Sequence, residues 1–203
     1  SKDVFERMYP ASITKIMTAL VAIKEGDLKS RVLVTDDAVI TEPGATLCGI
    51  EPGDTLTLEQ LLYGLMLPSG NDAGAAIAVH IAGSIEAFSD MMNEEAVRLG
   101  ATGTHFVNPH GLNDPDHYTT ADLYLIFNEA LKYPVFRQIV GTTAYTANYH
   151  NKNSEPVSKT WKGSNWFMTG ERETPDGLKV FGGKTGTTKA AGYCLIRSIY
   201  RLY

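Results

Sequence analysis

Tyr9-Pro10-Ala11-Ser12-Ile13-Thr14-Lys15-Ile16-Met17-Thr18 is the stretch on which the reading of this chain turns. Proline suits the start of a helix, because its missing N–H is one that an opening turn leaves unpaired anyway. Behind it Ile13, Ile16, Met17, Leu20 and Ile23 recur at helical spacing until Gly26, which predicts a core-facing helix over residues 11–25. Ser12 and Lys15 lie three residues apart and therefore share a face of that helix. An alcohol becomes a useful nucleophile when a neighbouring base takes its proton. A lysine becomes such a base only when burial or a nearby cation lowers its pKa. Lys15 sits among Ile13, Ile16 and Met17, an odd place for a lysine that merely faces water. Alone the pair is a weak signal, since a chain this long holds on the order of one Ser-x-x-Lys by chance.

Working outward, residues 31–35 and 54–57 have strand character. Thr57 and Gln60 form a capping box for a second apolar helix over 58–67. Pro68-Ser69-Gly70 breaks it, and a third apolar helix over 72–82 follows. Ser84 caps a helix that runs to Leu99 and closes at Gly100. Thr119 and Asp122 fit another helix start, continuing to Lys132 before Pro134. Residues 142–149 alternate and read as extended, whereas 154–172 show no clear period. Thr174-Pro175-Asp176-Gly177 is a turn. Residues 178–183 and 192–197 then read as strands on either side of 187–191. Helices fill the middle and strands gather toward the end, so the predicted class is α+β.

Two further motifs invite chemistry. Ser69-Gly70-Asn71 projects short polar side chains from a break between rigid helices, although a plain turn uses the same residues. Lys184-Thr185-Gly186 follows the strand-like Lys179-Val180-Phe181. Gly183-Lys184-Thr185 matches the end of a phosphate loop, but the position that should hold its first glycine is Leu178, and no helix follows. The nucleotide reading is rejected. A cation, a hydroxyl and a glycine on a strand suit the capture of a carboxylate.

Composition sets outer bounds. The 203 residues are 43% hydrophobic and 20% charged, an ordinary globular balance. Eighteen basic against 23 acidic residues give a net charge of −5, which argues against a nucleic-acid partner. The apolar stretches 16–23 and 73–83 are far shorter than the roughly 20 residues that span a bilayer. No signal peptide opens the chain, which leaves the compartment undecided. Cys48 and Cys194 could pair, but two small buried hydrophobes are the better reading. His110, Asp114, Asp116 and His117 fall within eight positions and raise a zinc site. Their spacing fits no helical ligand pair, and Gly111 and Pro115 make the segment turn-rich. His80 and His105, on apolar segments, are expected to be core histidines.

Ser-x-x-Lys at 12, Ser-x-Asn at 69 and Lys-Thr-Gly at 184 occur together, in that order, with a chance of roughly one in a thousand on composition. They are the motif set of the penicillin-recognising serine enzymes, which this chain resembles. Leu67-Pro68-Ser69-Gly70-Asn71-Asp72-Ala73, Asn108-Pro109-His110-Gly111-Leu112 and the run 182–192 narrow the likeness to the low-molecular-mass penicillin-binding proteins, the D-alanyl-D-alanine carboxypeptidases. It extends from about Met8 to Ile196. The resemblance implies a penicillin-binding-protein/β-lactamase-like transpeptidase fold, with a helical region packed on an antiparallel sheet, as one domain over residues 1–203. It implies Ser12 as acylated nucleophile, Lys15 as its general base and Ser69 as proton relay. Asn71 would orient Lys15 and bind the substrate amide. Lys184, Thr185, Gly186 and Thr187 would receive the terminal carboxylate, and the backbone N–H groups of Ser12 and Thr187 would form the oxyanion hole. The implied substrate is a peptidoglycan stem peptide ending in D-Ala-D-Ala, with β-lactams as acylating partners and no metal or cofactor. The implied setting is extracytoplasmic, in cell-wall synthesis and cell-shape maintenance, with the full-length protein tethered to the membrane.

Two alternatives stay open. A β-lactamase shares the acylation machinery, but its class A members carry Ser-Asp-Asn and a deacylating Glu. Glu155, Glu171 and Glu173 are the acids available before Lys184, and none sits in a recognisable motif. A non-catalytic β-lactam sensor or wall-binding module is the other, against which stand the intact Ser12, Lys15 and Lys184. The family's outer sheet strands also lack counterparts here, with eleven residues before Ser12 and 197–203 after the last strand. The expectation is a shortened sheet at both ends, with a discontinuity near 197–198 and a poorly supported Lys184 strand.

Overall fold

The structure is a computed structural model and describes residues 3–112 and 115–201. The helix expected over 11–25 is present, but its first turn, Ala11–Thr14, is a 3-10 turn that runs into α1 (Lys15–Glu25). Residues 15–22 are all buried, so α1 is a central helix packed on every side, apolar except for Lys15 and Thr18. After β1 (Arg31–Leu33) and β2 (Thr55–Thr57), Thr57 opens α2 (Leu58–Met66) with a full capping box: Gln60 N–H donates to Thr57 Oγ1 at 3.1 Å and Thr57 N–H to Gln60 Oε1 at 2.9 Å. Next come α3 (Asn71–Ala82) and α4 (Ile85–Arg98), the latter capped by Ser84 as expected. The small residues Ala73, Gly74, Ala75, Ala76 and Ala78 are buried and let α3 lie close against its neighbours.

The chain continues through α5 (Leu123–Ala130), α6 (Pro134–Val140), β3 (Ala144–His150), β4 (Pro156–Lys162), α7 (Trp166–Thr169), β5 (Leu178–Thr188) and β6 (Gly192–Arg201). Four strands form an antiparallel sheet in the order β1-β2-β3-β4, and β5 pairs with β6 in a separate hairpin. A single core cluster joins α1, α2, α3 and α6 with Tyr149 and Trp161 of the four-stranded sheet. No helix among the described residues is long and apolar enough to cross a membrane.

Several expectations need correction. Of the two helix starts offered, Asp122 is the one used: α5 begins at Leu123 with Asp122 in the cap position, its carboxylate accepting the Gly103 N–H at 2.8 Å rather than bonding its own helix, while Thr119 pairs with Met8. Pro134 does not end the helical region but opens α6 at its first position. Strand β4 and α7 lie in the segment that showed no period. Strand β6 pairs with β5 on both sides of 197–198, with Arg197 opposite Gly183 and Ser198 opposite Gly182, and the register shifts between Val180 and Gly182, opposite Ser198 and Ile199. Strand β5 is also well seated: a Cβ on Gly182 would stand 2.7 Å from Val140 O, and one on Gly186 would stand 3.1 Å from Ser12 N. The absent side chains let the strand press on α6 and on the 3-10 turn.

Cys48 is buried, Cys194 is half-buried, and both are free thiols. His80 and His105 are not core residues. His80 is exposed at the end of α3 and bonds Ser30 Oγ at 2.9 Å, and the half-buried His105 ring meets Asp116 O at 2.8 Å. The buried histidines are His110 and His117, within the candidate zinc cluster. Both ring nitrogens of His117 and Nδ1 of His110 are engaged by protein. Val107 N–H donates to His117 Nδ1 at 3.2 Å, and His117 Nε2 lies 2.7 Å from Thr14 Oγ1. Leu112 N–H donates to His110 Nδ1 at 3.3 Å. Asp114, the cluster's remaining carboxylate beside Asp116, lies outside the described residues.

Candidate active site

Three segments distant in sequence meet at Lys15. Its Nζ lies 3.0 Å from Ser12 Oγ, 2.6 Å from Asn71 Oδ1 and 2.8 Å from the His110 carbonyl oxygen. The two carbonyl-type oxygens can only accept. A neutral amine has two N–H groups to give them, and its lone pair then faces the Ser12 hydroxyl, which donates. As an ammonium, Lys15 would donate to all three. Proton transfer from Ser12 to Lys15 therefore needs no movement of heavy atoms.

Lys15 is fully buried, and its pKa falls well below the usual lysine range, first through burial and then through the Lys184 cation, with Asp72 opposing. Lys184 is 1% exposed, and burial lowers its pKa to about 7. Its Nζ donates to Ser69 Oγ at 3.0 Å and to the Thr185 carbonyl at 2.7 Å. Ser12, Lys15 and Asn71 thus form one bonded set, and Ser69 and Lys184 a second.

The backbone around both serines is unusual. Ala11, just before Ser12, has φ +48°, and Ser69 itself has φ +67°. Left-handed non-glycine residues cost on the order of 1–3 kcal/mol each and persist where surrounding structure imposes them. The imposition is visible at Gly111 (φ +84°), where a Cβ would stand 1.9 Å from Ala11 O. Glycine there lets the backbone at 111 close on the serine turn, which Gly186 also approaches at Ser12 N.

A profile of the D-alanyl-D-alanine carboxypeptidase family, peptidase family S11, matches residues 1–201. The chain belongs to this family. Among curated relatives, the D-alanyl-D-alanine carboxypeptidase DacF of Bacillus subtilis is 36% identical over 98% of this chain and 49% of its own length. DacB2 of Mycobacterium tuberculosis is 37% identical over 90% of this chain and 59% of its own. The chain therefore spans half to three-fifths of these two relatives. The crystal structure of the Streptomyces K15 DD-transpeptidase superposes with a TM-score of 0.89 at 34% identity, covering 99% of this chain and 79% of that one. That likeness bears out the expected fold.

The other residues that the carboxypeptidase motifs single out are spread along β5. The Thr185 and Ser164 hydroxyls lie 2.9 Å apart, Gly186 abuts Ser12 N, and the exposed Thr187 donates from Oγ1 to the Gly186 carbonyl at 2.8 Å. Glu155, on the β3–β4 turn, and Glu171 and Glu173, beyond α7, are exposed and stand outside the bonded sets around the two lysines.

Sequence reasoning gave no role to the His110 carbonyl or to the anchors of its loop. Thr18 donates to Pro109 O at 2.6 Å, beside the Thr14–His117 contact, so three residues of the serine helix grip this loop. Asp72 was likewise given no role. It is 1% exposed and accepts N–H groups from Cys48 (2.9 Å), Gly49 (2.7 Å) and Ile50 (3.2 Å). A backbone carbonyl has no signature in sequence; an aspartate beside Asn71 at a helix start did, but it reads equally as a surface carboxylate.

Proposed function

We propose that this chain is the catalytic domain of a serine-type D-Ala-D-Ala carboxypeptidase, which removes the terminal D-alanine from peptidoglycan stem pentapeptides through an acyl-enzyme on Ser12. Penicillin would acylate the same serine. The observation that carries this reading is the Lys15 amine held between the Ser12 hydroxyl and two obligate acceptors, buried and with its pKa depressed.

In this reading Lys15 takes the Ser12 proton as Oγ attacks the carbonyl of the penultimate D-alanine. The developing oxyanion meets the backbone N–H groups of Ser12 and Thr187, a kind of contact worth on the order of 3 kcal/mol in the transition state. The proton passes through Ser69 to the departing amine as the C–N bond breaks, and D-alanine leaves. Water then hydrolyses the ester and returns Ser12. Lys184, with Thr185 and Thr187, holds the terminal carboxylate, Gly186 lets the backbone come close, and Asn71 binds the substrate amide while orienting Lys15. Cell-wall substrates require an extracytoplasmic setting, with membrane tethering and a part in cell shape belonging to the full-length protein.

The test is release of D-alanine from a synthetic stem pentapeptide, alongside turnover of benzylpenicillin. The proposal expects D-alanine release that Ser12→Ala abolishes, with penicillin held as a long-lived adduct. Fast penicillin turnover without D-alanine release would convert the assignment to a β-lactamase. Neither activity would leave a binding module.

A further inference from the structure

Two side-chain polar atoms among the described residues are buried without a hydrogen-bond partner, Asn165 Nδ2 and Arg197 Nη1. The second belongs to a guanidinium stacked 4.5 Å over the Phe167 ring. Asn165 has no such explanation. It is 7% exposed, and its Oδ1 accepts the Phe167 N–H at 3.2 Å, which caps α7 and fixes which way the amide faces. Capping uses the oxygen alone, and a buried donor left without an acceptor is costly. The segment is also tied down: Gly163 N–H donates to Thr143 O at 2.8 Å and Ser164 N–H to Leu67 O at 3.2 Å.

Asn165 lines a cavity of about 20 Å³, room for one water-sized atom, together with Leu67, Val140, Ser164, Lys184 and Thr185. Leu67 leads into the Ser69 turn and Lys184 is bonded to Ser69, so the cavity lies on the leaving-group side of the proposed reaction. The side-chain groups left over there are donors. Lys184 spends two N–H groups on Ser69 Oγ and the Thr185 carbonyl, and as an ammonium it has a third. Of the bonded Ser164 and Thr185 hydroxyls, one gives its hydrogen to the other and the second keeps its own. Among the described residues no acidic side chain lines the cavity. Converging donors of this kind suit a carboxylate oxygen, which only accepts.

We propose that Asn165 is a substrate-binding residue of the proposed reaction, whose amide donates to one oxygen of the terminal carboxylate while Lys184 and Thr185 hold the rest of the group. This rests on the carboxypeptidase reading. A terminal carboxamide has the same size but would turn an N–H toward these donors, so the site selects a free carboxylate.

The experiment measures kcat/KM for release of the last residue from a synthetic stem pentapeptide and from the same peptide with a terminal carboxamide, in the wild type, Asn165→Ser and Asn165→Asp. Serine and aspartate both keep an oxygen that can cap α7. Asn165→Ser should lose about tenfold or more on the carboxylate peptide and little on the carboxamide. Asn165→Asp should lose more on the carboxylate and improve on the carboxamide, whose N–H it can accept, so that the preference narrows or reverses. Equal losses on both peptides would make Asn165 a structural cap, and unchanged rates would mean that the cavity holds a water only. Either overturns the proposal, as does failure of both variants to fold. A wild type that releases neither last residue would refute the carboxypeptidase reading and this proposal with it; an active wild type with equal losses in the variants removes only the role of Asn165.

Discussion

Replacing Lys184 with methionine should stabilise the protein at neutral pH while disabling it. The side chain is 1% exposed and its folded pKa is about 7 against an ordinary 10.5. A base whose pKa is lowered by folding binds more protons unfolded than folded between those two values. The contribution of Lys184 to wild-type stability should therefore be greatest above about pH 10.5, fall as pH drops toward about 7, and level off below that. A gap of about three and a half units corresponds to about 4–5 kcal/mol of destabilisation at the acid end, as an upper bound. Methionine fills similar volume without charge but leaves Ser69 Oγ and Thr185 O without the amine, which costs about 1–3 kcal/mol. The net gain should be at most about 1–4 kcal/mol, or about 2–16 °C in melting temperature for a chain of this size. Thermal unfolding of both proteins at pH 6 and pH 10.5 is the assay. The advantage should be present at pH 6 and vanish or reverse at pH 10.5. An advantage that ignores pH, or its absence at pH 6, would refute the reasoning.

The same variant should move the acid limb of acylation upward, because removing Lys184 lets the pKa of Lys15 rise; a pH–rate profile would show it, and an unmoved limb would reduce Lys184 to a carboxylate holder. Ser69→Ala should slow acylation less than Ser12→Ala does, since water can replace a relay but not a nucleophile; equal losses in a single-turnover assay would mean that Ser69 does more. Gly111→Ala should cost about 2–4 kcal/mol by driving a Cβ into Ala11 O at positive φ, and acylation should fall with it; calorimetry showing an unchanged melting temperature would contradict the close approach.

Side-chain chemistry was legible in the sequence where identity and spacing coincide. Ser12 and Lys15 meet because three residues span one helical turn, and Ser69 projects because Pro68 and Gly70 forbid a continuous helix. The capping box at Thr57 and the cap at Ser84 were readable for the same reason: local hydrogen bonds have local signatures. Strand β4 escaped because its faces are mostly solvated, with Trp161 as its buried anchor, so no apolar alternation marks it. Helix α6 escaped because Pro134 reads equally as a stop or as a first residue. The histidines were inverted for a tertiary reason: His80 emerges where α3 leaves the core, whereas His110 and His117 are buried by a loop that folds back on α1.

Intact-mass analysis after exposure to benzylpenicillin, followed over hours, bears most directly on the claim that Ser12 is a lysine-activated nucleophile. The account predicts one adduct per chain that persists, maps to the peptide holding Ser12, and is absent in Ser12→Ala and strongly reduced in Lys15→Met. No adduct in the wild type, or an undiminished one in Ser12→Ala, would contradict it.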